Sequence, residues 1–128
     1  RVLINLVHNG LKFSPQGGTI TVTVRVEARA CTGRESRGTS SSQATIQVAD
    51  EGPGIAPEDL PHLFEMFGRR KDHGDIRIGR GLGLHFCRLV VAAHQGKIRA
   101  ENSSSGGAVF FVELPLNQEI YACHIADC

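Results

Sequence analysis

Tryptophan is absent from these 128 residues, and there is one tyrosine and one methionine. The core must therefore be built from aliphatic side chains and six phenylalanines, without large indole anchors. No apolar run is long enough to span a bilayer and no secretory signal opens the chain, so direct membrane contact is not expected. An excess of either charge is also lacking. The net charge is +1, which argues against a general nucleic-acid binder. Positive charge is local instead, in RRKDHGDIRIGR over 69–80. The four cysteines, Cys31, Cys87, Cys123 and Cys128, form no C-x-x-C pair, and the expectation is reduced, structural thiols in a cytoplasmic setting. Spacing alone does not decide whether Cys123 and Cys128 pair.

Hydrophobic residues make up 41% of the chain and charged residues 21%, as in a soluble globular domain with one core. Arg1 already lies inside a helical pattern, so the chain reads as part of a longer polypeptide. Val2, Leu3, Leu6, Val7 and Leu11 repeat at three and four, which predicts a helix over 1–13. Arg1, Asn5, Asn9 and Lys12 share another face of it. Ser14-Pro15-Gln16-Gly17-Gly18 stops the helix. TITVTVRVEA then alternates strictly, with Ile20, Val22, Val24 and Val26 on one side, as in a half-buried strand.

The polar, Gly/Ser-rich stretch 31–43 reads as a long hairpin loop, followed by the strand ATIQVAD. A Gly/Pro loop leads to a short helix expected near 57–66. The basic stretch 68–80 has no periodicity and reads as a loop. GLGLHFCRLVVAAHQG predicts a strong helix, with Gly96 at its C-cap. KIRAENS and GAVFFVELPL close as a strand pair across a Ser-Gly turn; the tail 117–128 carries no pattern that assigns it. Hairpin-joined strands imply antiparallel pairing with helices on one face, hence an α+β two-layer sandwich.

Three clusters each suggest part of a nucleotide site. Asn5 and Asn9, one helical turn apart, present neutral hard oxygens suited to a hydrated Mg²⁺, and Lys12 can neutralise a phosphate. Taken alone, this is more often a solvated polar stripe. In ADEGPGI, Asp50 ends a strand where a carboxylate can accept from an exocyclic amine, and Gly52 and Gly54 let main chain approach a flat base. By itself an Asp-x-Gly turn is the commoner reading. In GRGLGL, Gly79, Gly81 and Gly83 with Leu82 and Leu84 open a helix whose N–H groups can meet an anion. A Rossmann reading fails, because the motif follows a basic loop and the strands pair in hairpins.

Together and in this order, the clusters are far more specific. NLVHNGLKFS resembles the N box, DEGPGI the G1 box, LFEMF the F box and GRGLGLHFCRLVVAAHQGKI the G2 box of the ATP-binding catalytic domain of sensor histidine kinases. These belong to the wider superfamily with DNA gyrase, the MutL repair proteins and the heat-shock chaperone ATPases. The resemblance covers residues 1–116, with 117–128 as an unassigned tail. It implies a Bergerat-type fold with a mixed, mostly antiparallel sheet, truncated at its N-terminus by one strand and helix, so that one sheet edge is left open.

The resemblance also implies roles. Asn9, with Asn5 beside it, holds Mg²⁺, and Lys12 lies near the phosphates. Phe13 lies against the nucleotide, while Asp50 recognises the adenine amine. Gly52, Gly54 and Ile55 shape the base pocket. Gly79, Gly81, Leu82, Gly83 and Leu84 are phosphate-side, and 68–80 resembles the ATP lid. Asn9, Lys12 and Arg80 are the expected catalytic residues, with Arg77 as a further nucleotide contact. Gly10 stands where the family usually has Ala, which loosens the helix by about 0.5–1 kcal/mol.

Branches that hydrolyse ATP carry a Glu four residues before the metal Asn. Asn5 stands there, and an amide is no general base, so transfer without hydrolysis is expected. None of the six histidines lies in a phosphoacceptor context. The acceptor histidine is therefore expected on a separate dimerisation domain, in a homodimeric parent acting on a response regulator. Two alternatives stay open: a nucleotide-binding interaction module without transfer, and a gyrase- or MutL-type clamp ATPase, which Asn5 disfavours.

Overall fold

A computed structural model describes residues 1–29, 41–66 and 82–116. Of the stretch 31–43 read as a loop, 31–40 falls outside the described residues, as do the 68–80 lid and the tail 117–128. Ser41, Ser42 and Gln43 are not loop but the start of a strand paired with 27–29.

Helix α1 spans Val2–Phe13 and leads into strand β1, Thr21–Arg29. Strand β2, Ser41–Ala49, pairs with β1, putting Val22 opposite Val48 and Val24 opposite Ile46. Helix α2, Gly83–Ala93, is followed by β3, Lys97–Asn102, and β4, Ala108–Leu116. All pairings among these strands are antiparallel, in the order β1-β2-β4-β3. Strand β4 thus inserts between β2 and β3, with Phe110 opposite Val48 and Val112 opposite both Ile46 and Ile98.

Both helices lie on one face of this sheet, as the alternation of its strands requires. Leu6 and Cys87 are fully buried there, beside Val48, Val91, Phe110 and Val112. Phe64 meets Phe110 edge-on, with ring centroids 6.3 Å apart. On the other face Phe111 is covered by the Arg99 guanidinium, 3.8 Å from its ring centroid.

Four expectations are corrected. First, no α-helix forms over 57–66; there is a single 3₁₀ turn, Leu60–His62. Pro61 has no N–H to donate to Pro57, so the i→i−4 ladder cannot propagate. Instead the Ala56 carbonyl accepts from both Asp59 and Leu60.

Second, the alternation in β1 places its valines on the helix-side face, but they are not half-buried. Val22, Val24 and Val26 are 48%, 62% and 64% exposed, because β1 is the sheet edge and α1 and α2 pack over β2 and β3. Third, Leu3 and Leu11, which belong to the apolar repeat of the first helix, lie exposed beside Ile4. The buried side of α1 runs through Leu6 and Gly10 instead.

Fourth, α2 ends at Ala93, and the left-handed residue after it is Gln95 (φ 59°), not Gly96. Gly96 is needed for a different reason. Any Cβ there would collide with the Glu113 carbonyl of β4, and the Gly96 N–H donates to the Val91 carbonyl at 2.9 Å.

Candidate functional site

Asp50 follows the last residue of β2, and the sheet holds its backbone by donation of its N–H to the Ala108 carbonyl at 3.0 Å. Its Oδ1 accepts from the Gly52 N–H at 2.9 Å and from the Ala108 N–H at 3.1 Å. One carboxylate oxygen is thereby consumed by backbone, and Oδ2 has no partner among the described residues. The half-buried carboxylate is thus aimed by two main-chain donors.

The C-terminal end of α1 abuts this loop. A Cβ on Gly10 would sit 3.5 Å from the Asp50 Cβ, and one on Gly52 would sit 2.9 Å from the Phe13 carbonyl oxygen. Glu51 N–H donates to Ser14 Oγ at 3.3 Å, and the Glu51 carboxylate accepts from Thr19 N–H at 2.9 Å. The helix that carries the asparagines and the loop that carries the aspartate are therefore one unit. Gly54 adopts φ +80°, which lets the chain turn back to Ile55.

Along α1, Asn5 and Asn9 are half-buried and Lys12 is exposed, its Nζ 5.7 Å from the Phe13 ring centroid. The two amides differ. Burial pushes the Cys87 thiol pKa up, and a hydrogen bond from Asn5 opposes this, as an N–H donor to sulfur does. The Cys87 thiol itself donates to the Val2 carbonyl at 3.8 Å across the α1–α2 contact. The Asn9 side chain has no partner among the described residues, so Asn9 is the better placed to give its amide oxygen to a cation. Among the described residues no cluster of three or more His, Cys, Asp or Glu would hold a metal. A neutral amide plus phosphate oxygens is a donor set that suits Mg²⁺, and these residues fit it.

Leu82 and Gly83 open α2, where no side chain caps the helix and no acidic residue occupies the first turn. A Cβ on Gly83 would meet no atom of the described residues within 4 Å. Among the described residues nothing takes up the first-turn N–H groups, which suits them to an anion. Leu84 packs on the core, and His85 Nδ1 donates to the Phe64 carbonyl at 3.1 Å, tying α2 to the segment after the 3₁₀ turn. Arg77, Gly79, Arg80 and Gly81 lie outside the described residues.

Sequence reasoning missed two contributors. Gly107, at φ +83°, packs so closely on the Asp50 carbonyl that any Cβ would overlap it. Asn102, the last residue of β3, holds the Ile55 main chain at both its N–H and its carbonyl. The Ser-Gly-Gly turn was a signal for Gly107, but nothing local marked Asn102. A separate cleft of about 400 Å³, lined by Thr19, Thr21, Ala49 and Glu51 among others, opens on the sheet face away from the helices. It shares Asp50 with the site but not α1 or α2.

Known proteins share this arrangement. The model of the histidine kinase-, DNA gyrase B- and HSP90-like ATPase family matches residues 1–118. The sensor protein KdpD of Clostridium acetobutylicum is 38% identical over 116 residues, covering 90% of this chain but 11% of its own length. The mycobacterial sensor histidine kinase MprB superposes with a TM-score of 0.66 at 28% identity, over 89% of this chain and 67% of that one. Full-length ShkA in complex with AMPPNP superposes with a TM-score of 0.64 at 29% identity, over 91% of this chain and 21% of that one. The chain therefore spans a small part of KdpD and of full-length ShkA, and it also superposes on the catalytic domain of the histidine kinase ThkA, with a TM-score of 0.60 at 32% identity, over 89% of this chain and 64% of that one. By motif order, fold and overall sequence, the chain belongs to the histidine kinase-, DNA gyrase B- and HSP90-like ATPase family and is homologous to the catalytic domains of sensor histidine kinases.

Proposed function

We propose that residues 1–116 form the Mg-ATP-binding half of a protein histidine kinase, which gives the γ-phosphate to a histidine on a separate dimerisation domain. The observation that carries this reading is the state of Asp50. Two backbone N–H groups fix its Oδ1, and Oδ2 remains to accept from a ligand amine beside the end of α1. A carboxylate held this way recognises the adenine amino group, and Gly52, Gly54 and Ile55 shape the walls around the base.

Asn9 holds the metal, with the oxygen of Asn5 next to it, and Lys12 neutralises a phosphate. Phe13 lies against the nucleotide. The open first turn of α2, at Leu82 and Gly83, meets phosphate oxygens with its N–H groups. Arg77 and Arg80, with Gly79 and Gly81, complete the phosphate side, and Leu84 anchors that end of α2 in the core. When bound, Mg²⁺ supplies positive charge to the β- and γ-phosphates, where charge accumulates during transfer. Asn9, Lys12 and Arg80 then act by positioning and charge; Asn5 provides no base to activate water. The parent is read as a cytoplasmic signalling kinase, homodimeric, with a response regulator downstream.

The test is titration of the chain with ATP and Mg²⁺, then addition of a purified phosphoacceptor domain with labelled ATP. Binding that Asp50→Asn weakens, together with label on the acceptor histidine, is the expected result. Binding without label would favour an interaction module. Absence of binding would overturn the nucleotide reading itself.

A further inference from the structure

The β3–β4 hairpin touches the Asp50–Ile55 loop at both ends. At the Asp50 end, Ala108 exchanges two hydrogen bonds with Asp50, and Gly107 lies directly under the Asp50 carbonyl. At the Ile55 end a single side chain does the work. Asn102 Oδ1 accepts from the Ile55 N–H at 2.7 Å, and Asn102 Nδ2 donates to the Ile55 carbonyl at 2.8 Å.

A carboxamide carries its acceptor and its donor on separate atoms of one planar group, so it can serve the N–H and the carbonyl of one residue as a ladder partner would. The fit is close, since a Cβ on Gly54 would lie 2.8 Å from Asn102 Oδ1. Glu51 is held at the near end by Ser14 and Thr19, but without this clamp no hydrogen bond among the described residues would fix the Ile55 main chain at the far end of the loop. Its two positive features, the φ +80° turn at Gly54 and the Gly52 N–H on Asp50 Oδ1, would no longer be held from the far side.

We infer that Asn102 is a positioning residue for base discrimination: by pinning Ile55 it holds the Asp50–Ile55 loop in the shape through which Asp50 accepts from a 6-amino purine and excludes a 6-oxo one. This rests on the nucleotide reading above. Asn102 need not touch the nucleotide; it acts through the loop. Discrimination depends on the carboxylate staying fixed. A loop free to shift lets a 6-carbonyl base move off Oδ2 rather than oppose it, so selectivity suffers more than binding of the triphosphate.

The test measures affinity for Mg-ATP and Mg-ITP, and amide hydrogen exchange at Ile55 and Gly52, in the full chain and in Asn102→Ala. The expected result is a roughly tenfold loss in ATP affinity, a fall of at least about threefold in the ATP:ITP ratio and lost protection at both amides. Asn102→Asp keeps the acceptor but sets a carboxylate oxygen against the Ile55 carbonyl, and is expected to lose selectivity to a similar extent. An ATP:ITP ratio within about twofold of the parent in a folded Asn102→Ala overturns the proposal. If that variant does not fold, Asn102→Asp is read by the same criterion; failure of both to fold makes Asn102 a residue of the fold and overturns the positioning role. A parent chain that binds neither nucleotide sinks the nucleotide reading, and this inference with it. A parent that discriminates as well as its variants sinks this inference alone.

Discussion

The two oxygens of Asp50 have different obligations, which decides which substitution is informative. Ala would orphan the Gly52 and Ala108 N–H groups and confuse loss of fold with loss of ligand. Asp50→Asn can keep an acceptor for both while replacing the second oxygen with a donor. We expect it to fold and to bind ATP about 10–100-fold more weakly, as loss of a charge-assisted bond of about 1.5–3 kcal/mol implies; calorimetric titration beside thermal unfolding checks both. Cys87 gives a pH signature. Its folded pKa is raised above the ordinary 9.0 by burial, against the Asn5 hydrogen bond. The fold therefore holds this proton more tightly than the unfolded chain does. The stabilisation is fully present below that value and is lost as pH rises through the folded pKa. Urea midpoints measured from about pH 8 to 10.5 should fall with rising pH, and the fall should be shallower in Cys87→Ala.

Among the elements, β1 is the least protected. Its valines form an apolar row on an open edge, with Leu3, Ile4 and Leu11 of α1 also exposed. Such an edge invites pairing between chains. Replacing Val22, Val24 and Val26 by Thr should cost less than about 0.5 kcal/mol each, since little is buried, while lowering concentration-dependent self-association in sedimentation. The face of each β1 side chain was legible from period-two alternation. Whether that face was covered was not, because cover depends on where α1 and α2 land. The 57–66 segment failed in the other direction. Its apolar spacing suits a helix, but Pro57 and Pro61 limit it to one 3₁₀ turn. Gly10 is a third case. Read alone it weakens α1, yet an added Cβ would lie 2.8 Å from Ile20 Cδ1, so its smallness also seats the helix.

For the whole molecule the question is whether ATP is hydrolysed or its phosphate passed on. Asn5 lies where a hydrolytic relative carries its base, and an amide has no basicity with which to activate water. The chain with Mg-ATP alone is therefore expected to release phosphate no faster than Asp50→Asn does in the same assay. Release well above that background would place it among the ATPases. The elements that bind and the groups that receive lie on different bodies in this reading, and transfer requires the chain to meet an acceptor domain.

The family and most of the order of the elements were written in the sequence, which also marked Asn9, Asp50 and the glycines as candidates, because each depends on residues near one another along the chain. Local spacing specifies a helix face, a turn or a motif. What tertiary structure alone decided was which surfaces found partners. It placed β4 between β2 and β3, left the β1 valines open, and buried Leu6 rather than Leu3 of α1. It also brought Asn102 47 residues along the chain to grip Ile55. Such contacts join residues whose mutual distance no local pattern encodes; they follow only when burial of the shared core fixes the sheet order and the helix positions upon it.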